Sequence, residues 1–228
     1  MPSDSVNSPK FLKGALVAYD TQTAGAPPRV IAFQYNPEQM KRTLEKKAVE
    51  SKGGGSQPSK EDVLRAAGPP AESIQLTIVL DAADQLSEPT RNPAVVKHGL
   101  YPILSALELL LYPPTAQVRS IEAQAGRGQA QISPADLPLV LLVWGKTRVV
   151  PVLLGTFSVS EEAFDTNLNP IRAKVDLSMK VLTYLELKKD TVGYDSYLSY
   201  QRNKEQQAAR FQPDPNAAGA VQQLLPNV

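Results

Sequence analysis

The sequence predicts a β-rich α+β fold, and three observations carry that reading. Apolar and polar residues alternate with period two in several segments, one segment alone carries a strong apolar stripe at helical spacing, and the composition supports a buried core. Of 228 residues, 42% are hydrophobic and 21% charged, which suits one domain with an arm and argues against global disorder.

Residues 12–19 and 29–35 read as the first two strands, with Gly25 and the Pro27-Pro28 pair between them as a hairpin turn. In residues 73–81 the apolar Ile74, Leu76, Ile78 and Leu80 occupy every second position. Residues 139–144 form a continuous apolar run, the pattern of a strand covered on both faces. Residues 149–159 continue the sheet after a turn at Gly145-Lys146. The clearest strand is 172–181. There Ala173, Val175, Leu177, Met179 and Val181 alternate with Arg172, Lys174, Asp176, Ser178 and Lys180, so one face is buried and the other wet.

The main helix starts at the N-cap Asn92 with Pro93 in its first position, where a missing N–H costs nothing. Val96, Leu100, Ile103, Leu104, Leu107, Leu110 and Leu111 form its stripe, Pro102 kinks it or splits off a short first piece, and Pro113-Pro114 ends it. A weaker helix is expected over residues 196–211. Residues 41–72, 115–134 and the tail after Pro213 read as irregular. The first of these holds Gly53-Gly54-Gly55 and Gly68-Pro69-Pro70 and, at its length, is expected to be functional or disordered. The domain plan is a flexible N-terminus at 1–10, a β domain at 11–190, and a helical arm with a mobile tail at 191–228.

The chemistry of the chain is sparse. It has no cysteine and one histidine, and its net charge is +1. That excludes disulfides and thiolate sites, and it offers no electrostatic footprint for nucleic acid or an anionic membrane. No apolar leader or membrane span is visible, so synthesis in the cytoplasm without a signal peptide is expected. His98 has no second histidine or cysteine beside it. The pairs Asp81 with Asp84 and Glu161 with Glu162 lack the spacing of a Ca²⁺ loop and read as helix caps or solvated turns. Gly126-Arg127-Gly128 lacks the lysine of a phosphate loop. Tyr194, Tyr197 and Tyr200 read as a packing stripe. Lys41, Arg42, Lys46 and Lys47 are interleaved with Glu38, Glu45 and Glu50, a solvated face. No catalytic, cofactor-binding or metal-ligating residue is assigned.

The sequence does resemble the contractile injection system tube-type proteins. The residues that carry the likeness are Phe33-Gln34-Tyr35-Asn36-Pro37 with Arg42-Thr43, Asp81-Ala82-Ala83-Asp84, Pro113-Pro114, Trp144-Gly145, Gly155-Thr156-Phe157 and Asn169-Pro170-Ile171-Arg172-Ala173. They occur in the family's order and span residues 11–187. The resemblance implies a tail-tube-like antiparallel β-barrel or sandwich with one packed α-helix and a C-terminal helical arm. It further implies a ring of copies, hexameric, that links the spike and hub of a phage-tail-like particle to the next inner-tube layer and starts tube assembly, with baseplate proteins as neighbours and no enzymatic role. Many such proteins carry a C-terminal LysM module; the residues after Leu187 show no such pattern. The alternatives are a tube subunit of another layer, a cell-wall-binding module, which would need an aromatic groove where this chain has one Trp, and a small hydrolase, which the single His disfavours.

Overall fold

A computed structural model describes residues 12–20, 26–47, 67–126 and 136–214. Its strands are β1 (Ala15–Tyr19), β2 (Arg29–Ala32), β3 (Met40–Glu45), β4 (Ala71–Asp81), β5 (Leu139–Val143), β6 (Val149–Phe164) and β7 (Pro170–Val181). The helices are α1 (Ala83–Ser87), α2 (Pro93–His98), α3 (Tyr101–Glu108), α4 (Thr115–Gly126) and α5 (Val192–Ala209). The expected β-rich α+β, tube-like fold is present. All pairings are antiparallel, and the described strands form one open sheet in the order β2-β1-β5-β6-β7-β4-β3.

Alternation in the sequence becomes two-sidedness in the sheet. Ala173, Val175, Leu177, Met179 and Val181 of β7 are at most 2% exposed, and their β4 partners Ile74, Leu76, Ile78 and Leu80 join them in the core. Leu100, Leu104, Leu107 and Leu110 cover this face at one end, and Tyr197 and Tyr200 of α5 enter the same core. The sheet is strongly curled. Arg148, in the β5–β6 turn, reaches the Met40 sulfur of β3 at 3.6 Å, although a flat sheet would hold β6 and β3 about 14 Å apart across three strand spacings.

Four expectations about local structure change. The single helix at 92–111 is two helices, and the break falls at Gly99 rather than Pro102. Gly99 has φ +55°, and a Cβ there would run into the carbonyl oxygen of Pro170. The Leu100 N–H donates to that same carbonyl at 2.7 Å, so the helix yields to a close backbone crossing with the start of β7. Asn92 occupies the N-cap of α2 but its side chain does not cap it. Its amide donates backwards to the Gln85 and Glu88 carbonyls instead. Residues 115–134 are not wholly irregular, since α4 fills Thr115–Gly126 with no buried residue. The supposed loop 41–72 also ends in strands, because residues 41–45 belong to β3 and 71–72 to β4. Its Gly53-Gly54-Gly55, the Gly25 turn and the tail from residue 215 onward lie outside the described residues.

Candidate functional site

The surface that the long strands build is the wet face of β4, β7 and β6. Register places Gln75 beside Ser178 and Ser178 beside Thr156, then Thr77 beside Asp176 and Asp176 beside Ser158. The next rows are Val79, Lys174 and Ser160, and then Asp81 with Arg172. The Thr77 hydroxyl donates to the Asp176 carboxylate at 2.5 Å. Lys174 pairs with Glu162 at 2.6 Å, and Arg172 lies 3.5 Å from Glu162 and 3.8 Å from Asp81. The segment from Tyr35 to Gln39 walls one side of this face and encloses a groove of about 1050 Å³. The groove is lined by the cations Lys41, Arg172 and Lys174 and the carboxylates Glu38, Asp81 and Asp176, so its wall is of mixed sign, and Arg172 and Lys174 meet carboxylates on neighbouring strands.

The Phe33–Pro37 segment is held by side chains that take the place of backbone. Phe33 is 1% exposed and tilts against Trp144 with ring centroids 6.4 Å apart. Both rings press on Gly14, where a Cβ would lie 2.7 Å from Phe33 and 2.8 Å from Trp144. The Gln34 amide accepts from the Asp81 N–H at 2.9 Å and donates to the Asp81 carbonyl at 2.6 Å. Asn36 repeats the device on the other side, accepting from Gly14 N–H at 2.8 Å and donating to the Leu12 carbonyl at 3.0 Å. Each amide thus satisfies one donor and one acceptor that a strand would have used. Burial, and after it the Asp84 and Asp81 carboxylates, raise the pKa of Tyr35, whose hydroxyl lies 3.4 Å from Asp84.

At the far end of the core face stands Glu72, a buried carboxylate. It accepts from Arg42 at 2.9 Å, from Tyr200 at 2.7 Å and from Lys204 at 2.9 Å. Burial alone would raise its pKa, but the hydrogen bonds from Lys204, Tyr200 and Arg42 outweigh that and hold it below the ordinary glutamate value. Burial and the Glu72 carboxylate raise the Tyr200 pKa. Lys204 also lies 4.0 Å from the Tyr200 ring centroid. Sequence reading missed this cluster. Arg42 and Glu72 fall in a segment that reads as irregular and Lys204 on a weakly helical stretch, and no local spacing links the three.

The β6–β7 turn is prebuilt. Asp165 accepts from the Asn167 N–H, the Asn169 N–H and the Asn169 amide at 2.7, 2.8 and 2.9 Å, and these bonds, the Asn169 amide first, lower its pKa. They hold Leu168 at φ +62°, a conformation that costs an L-residue roughly 1–2 kcal/mol, with its side chain 74% exposed.

The residues singled out from sequence fall as follows. His98 is exposed at the end of α2. Asp81 accepts from the Ala83 N–H at 2.9 Å as α1 begins, and Glu162 pairs across the sheet. Tyr197 and Tyr200 are buried and Tyr194 half-buried, so the tyrosine stripe packs. Gly126 ends α4, while Arg127 and Gly128 lie outside the described residues. Among the described residues no cluster of His, Asp and Glu is placed to hold a metal ion, and no helix is long and apolar enough to cross a membrane.

Comparison with curated proteins gives no match. Residues 10–190 match the family model described as contractile injection system tube protein.

Proposed function

The chain belongs to the contractile injection system tube protein family, and on that premise we propose that it is a structural, non-enzymatic subunit joining the spike and hub of the baseplate to the inner tube and starting tube assembly. The observation that carries this reading is the wet face of β4, β7 and β6. Its cations Lys174 and Arg172 are already paired sideways with Glu162 and Asp81, and the Asp176 carboxylate accepts from Thr77, which leaves a polar wall of mixed sign rather than a convergent centre for chemistry. Such a wall suits the lining of a tube through which other molecules must slide without sticking.

The ring forms by copies set side by side. The edge strands β2 and β3 each have one strand neighbour among the described residues, so their outer backbone groups are available to the next subunit. A hexameric ring between the spike-bearing hub and the next tube layer satisfies both edges of every copy. In this reading the subunit is made in the bacterial cytoplasm and becomes part of a phage-tail-like particle.

The test is the number of copies per particle. Purified particles, quantified by mass spectrometry against their spike protein, should contain one ring's worth of this chain whatever the tube length. A copy number that grows with tube length would overturn the adaptor role and make the chain a repeated tube layer.

A further inference from the structure

Three cations converge where β3, the β5–β6 turn and α5 meet. Arg42 of β3 and Lys204 of α5 both donate to Glu72. Arg148 of the turn stands over the same strand, since its guanidinium reaches the Met40 sulfur at 3.6 Å. Met40 and Arg42 share one face of β3, two residues and about 7 Å apart. The turn is fastened to α5 as well, because the Asn203 amide, next to Lys204, donates to the Thr147 carbonyl, next to Arg148, at 3.1 Å. Burial and Glu72 raise the Tyr200 pKa, and the charges of Arg42 and Arg148 both work against that rise, which puts Arg148 within electrostatic reach of the Tyr200 hydroxyl.

One carboxylate does not answer three cations. Both Glu72 oxygens are already engaged, Oε1 by Arg42 and Tyr200 and Oε2 by Lys204. Among the described residues Arg148 makes no ion pair, and its one hydrogen-bond acceptor is a thioether sulfur, a weak one. It is half-buried, so part of the guanidinium is out of water while an ion from solvent can still reach it. A planar fork in that position fits two oxygens of a carboxylate or phosphate group, and a second guanidinium and an ammonium nearby add attraction.

We propose that Arg148, flanked by Arg42 and Lys204, binds a single oxyanion, a carboxylate or a phosphate group. The ligand is a small ion or one side chain and not a polyanion, because the whole chain carries a net charge of only +1. Bound there, it bridges the β5–β6 turn, β3 and the helix, and so holds α5 on the sheet. Asn203 and Lys204 lie beyond the residues that match the family model, so part of the site stands outside the matched fold. The site goes beyond the tube-subunit reading and does not depend on it.

Thermal melting of the full chain at pH 7 in potassium phosphate, potassium glutarate and potassium chloride of equal ionic strength tests the site. A saturable rise in Tm over chloride is expected, about 3–6 °C once the ligand is tenfold above its Kd. Arg148→Met removes an unanswered cation and leaves an apolar side chain against Met40, so it should melt no lower than the parent in chloride and lose the rise. Arg148→Lys keeps the charge without the fork and should retain only a small part of the rise, which keeps the test intact should the methionine variant not fold. A larger shift with glutarate, whose carboxylate stands in for a glutamate side chain, assigns the ligand to an acidic residue of another chain. A larger shift with phosphate assigns it to the free ion. Equal melting in all three salts, or a rise that both variants keep in full, overturns the proposal.

Discussion

The Tyr200 hydroxyl donates to the Glu72 carboxylate at 2.7 Å across 128 positions of sequence. This bond ties α5 to strand β4, and the helix lies beyond the residues that match the family model. Tyr200 is 3% exposed and Tyr197 7%, so α5 contributes side chains to the core of the β sheet.

Tyr200→Phe should therefore destabilise the whole domain. The ring remains, but a buried hydrogen bond to a charged acceptor is lost, a change of about 1.5–3 kcal/mol. Urea denaturation should show a lower midpoint with an unchanged slope. An unchanged midpoint would mean that Arg42 and Lys204 hold Glu72 without help.

Glu72 should also make stability depend on acid. Its pKa is lower in the folded chain than in the unfolded one, so its contribution is fully present above the unfolded value, about 4.3, and is lost as pH falls through the folded value. Glu72→Gln removes that dependence. Melting temperatures measured from pH 6 down to pH 3 should converge for the two proteins at the acid end, because Asp165 and Glu186, whose pKa values are also lowered, act equally in both. Curves that stay parallel would show that Glu72 titrates alike in both states.

The two faces of β7 give opposite responses to the same new charge. Val175→Asp places a carboxylate at a position that is 0% exposed and should cost several kcal/mol, on the order of the stability of a whole domain. Lys174→Asp breaks an ion pair whose lysine side chain is 49% exposed and should cost about 1 kcal/mol or less. Soluble yield and thermal melting report both, and the reverse order would place the register one residue off.

Gly99→Ala tests the crossing of α2, α3 and β7. A methyl group there meets the Pro170 carbonyl at a φ of +55°, so a loss of roughly 2–4 kcal/mol is expected. Melting within a degree or so of the parent would show that the crossing relaxes easily.

His98→Ala should leave folding, assembly and firing of the particle intact, as befits an exposed helical side chain in a subunit proposed to act by assembly. Normal assembly with lost function would contradict the non-enzymatic reading.

Sequence alone determined six of the seven described strands and pointed to the family. The alternation in residues 172–181 placed each β7 side chain on its observed face, because a strand's period of two leaves one register compatible with a buried core. The ordered motifs around Phe33, Asp81, Trp144 and Asn169 pointed to the tube family, and in the fold Asn36 serves the main chain of Gly14 while Asp81 serves that of Ala83. Tertiary structure decided what depends on distant chain segments meeting. The helix breaks at Gly99 because Pro170 passes beside it, and residues 41–45 are a strand because β4 offers a ladder that their mixed charge pattern did not announce. The Glu72 cluster collects Arg42, Tyr200 and Lys204 from segments that share no spacing. A buried carboxylate is stable only where such partners converge, and that convergence is set by the curl of the sheet rather than by any local run of residues.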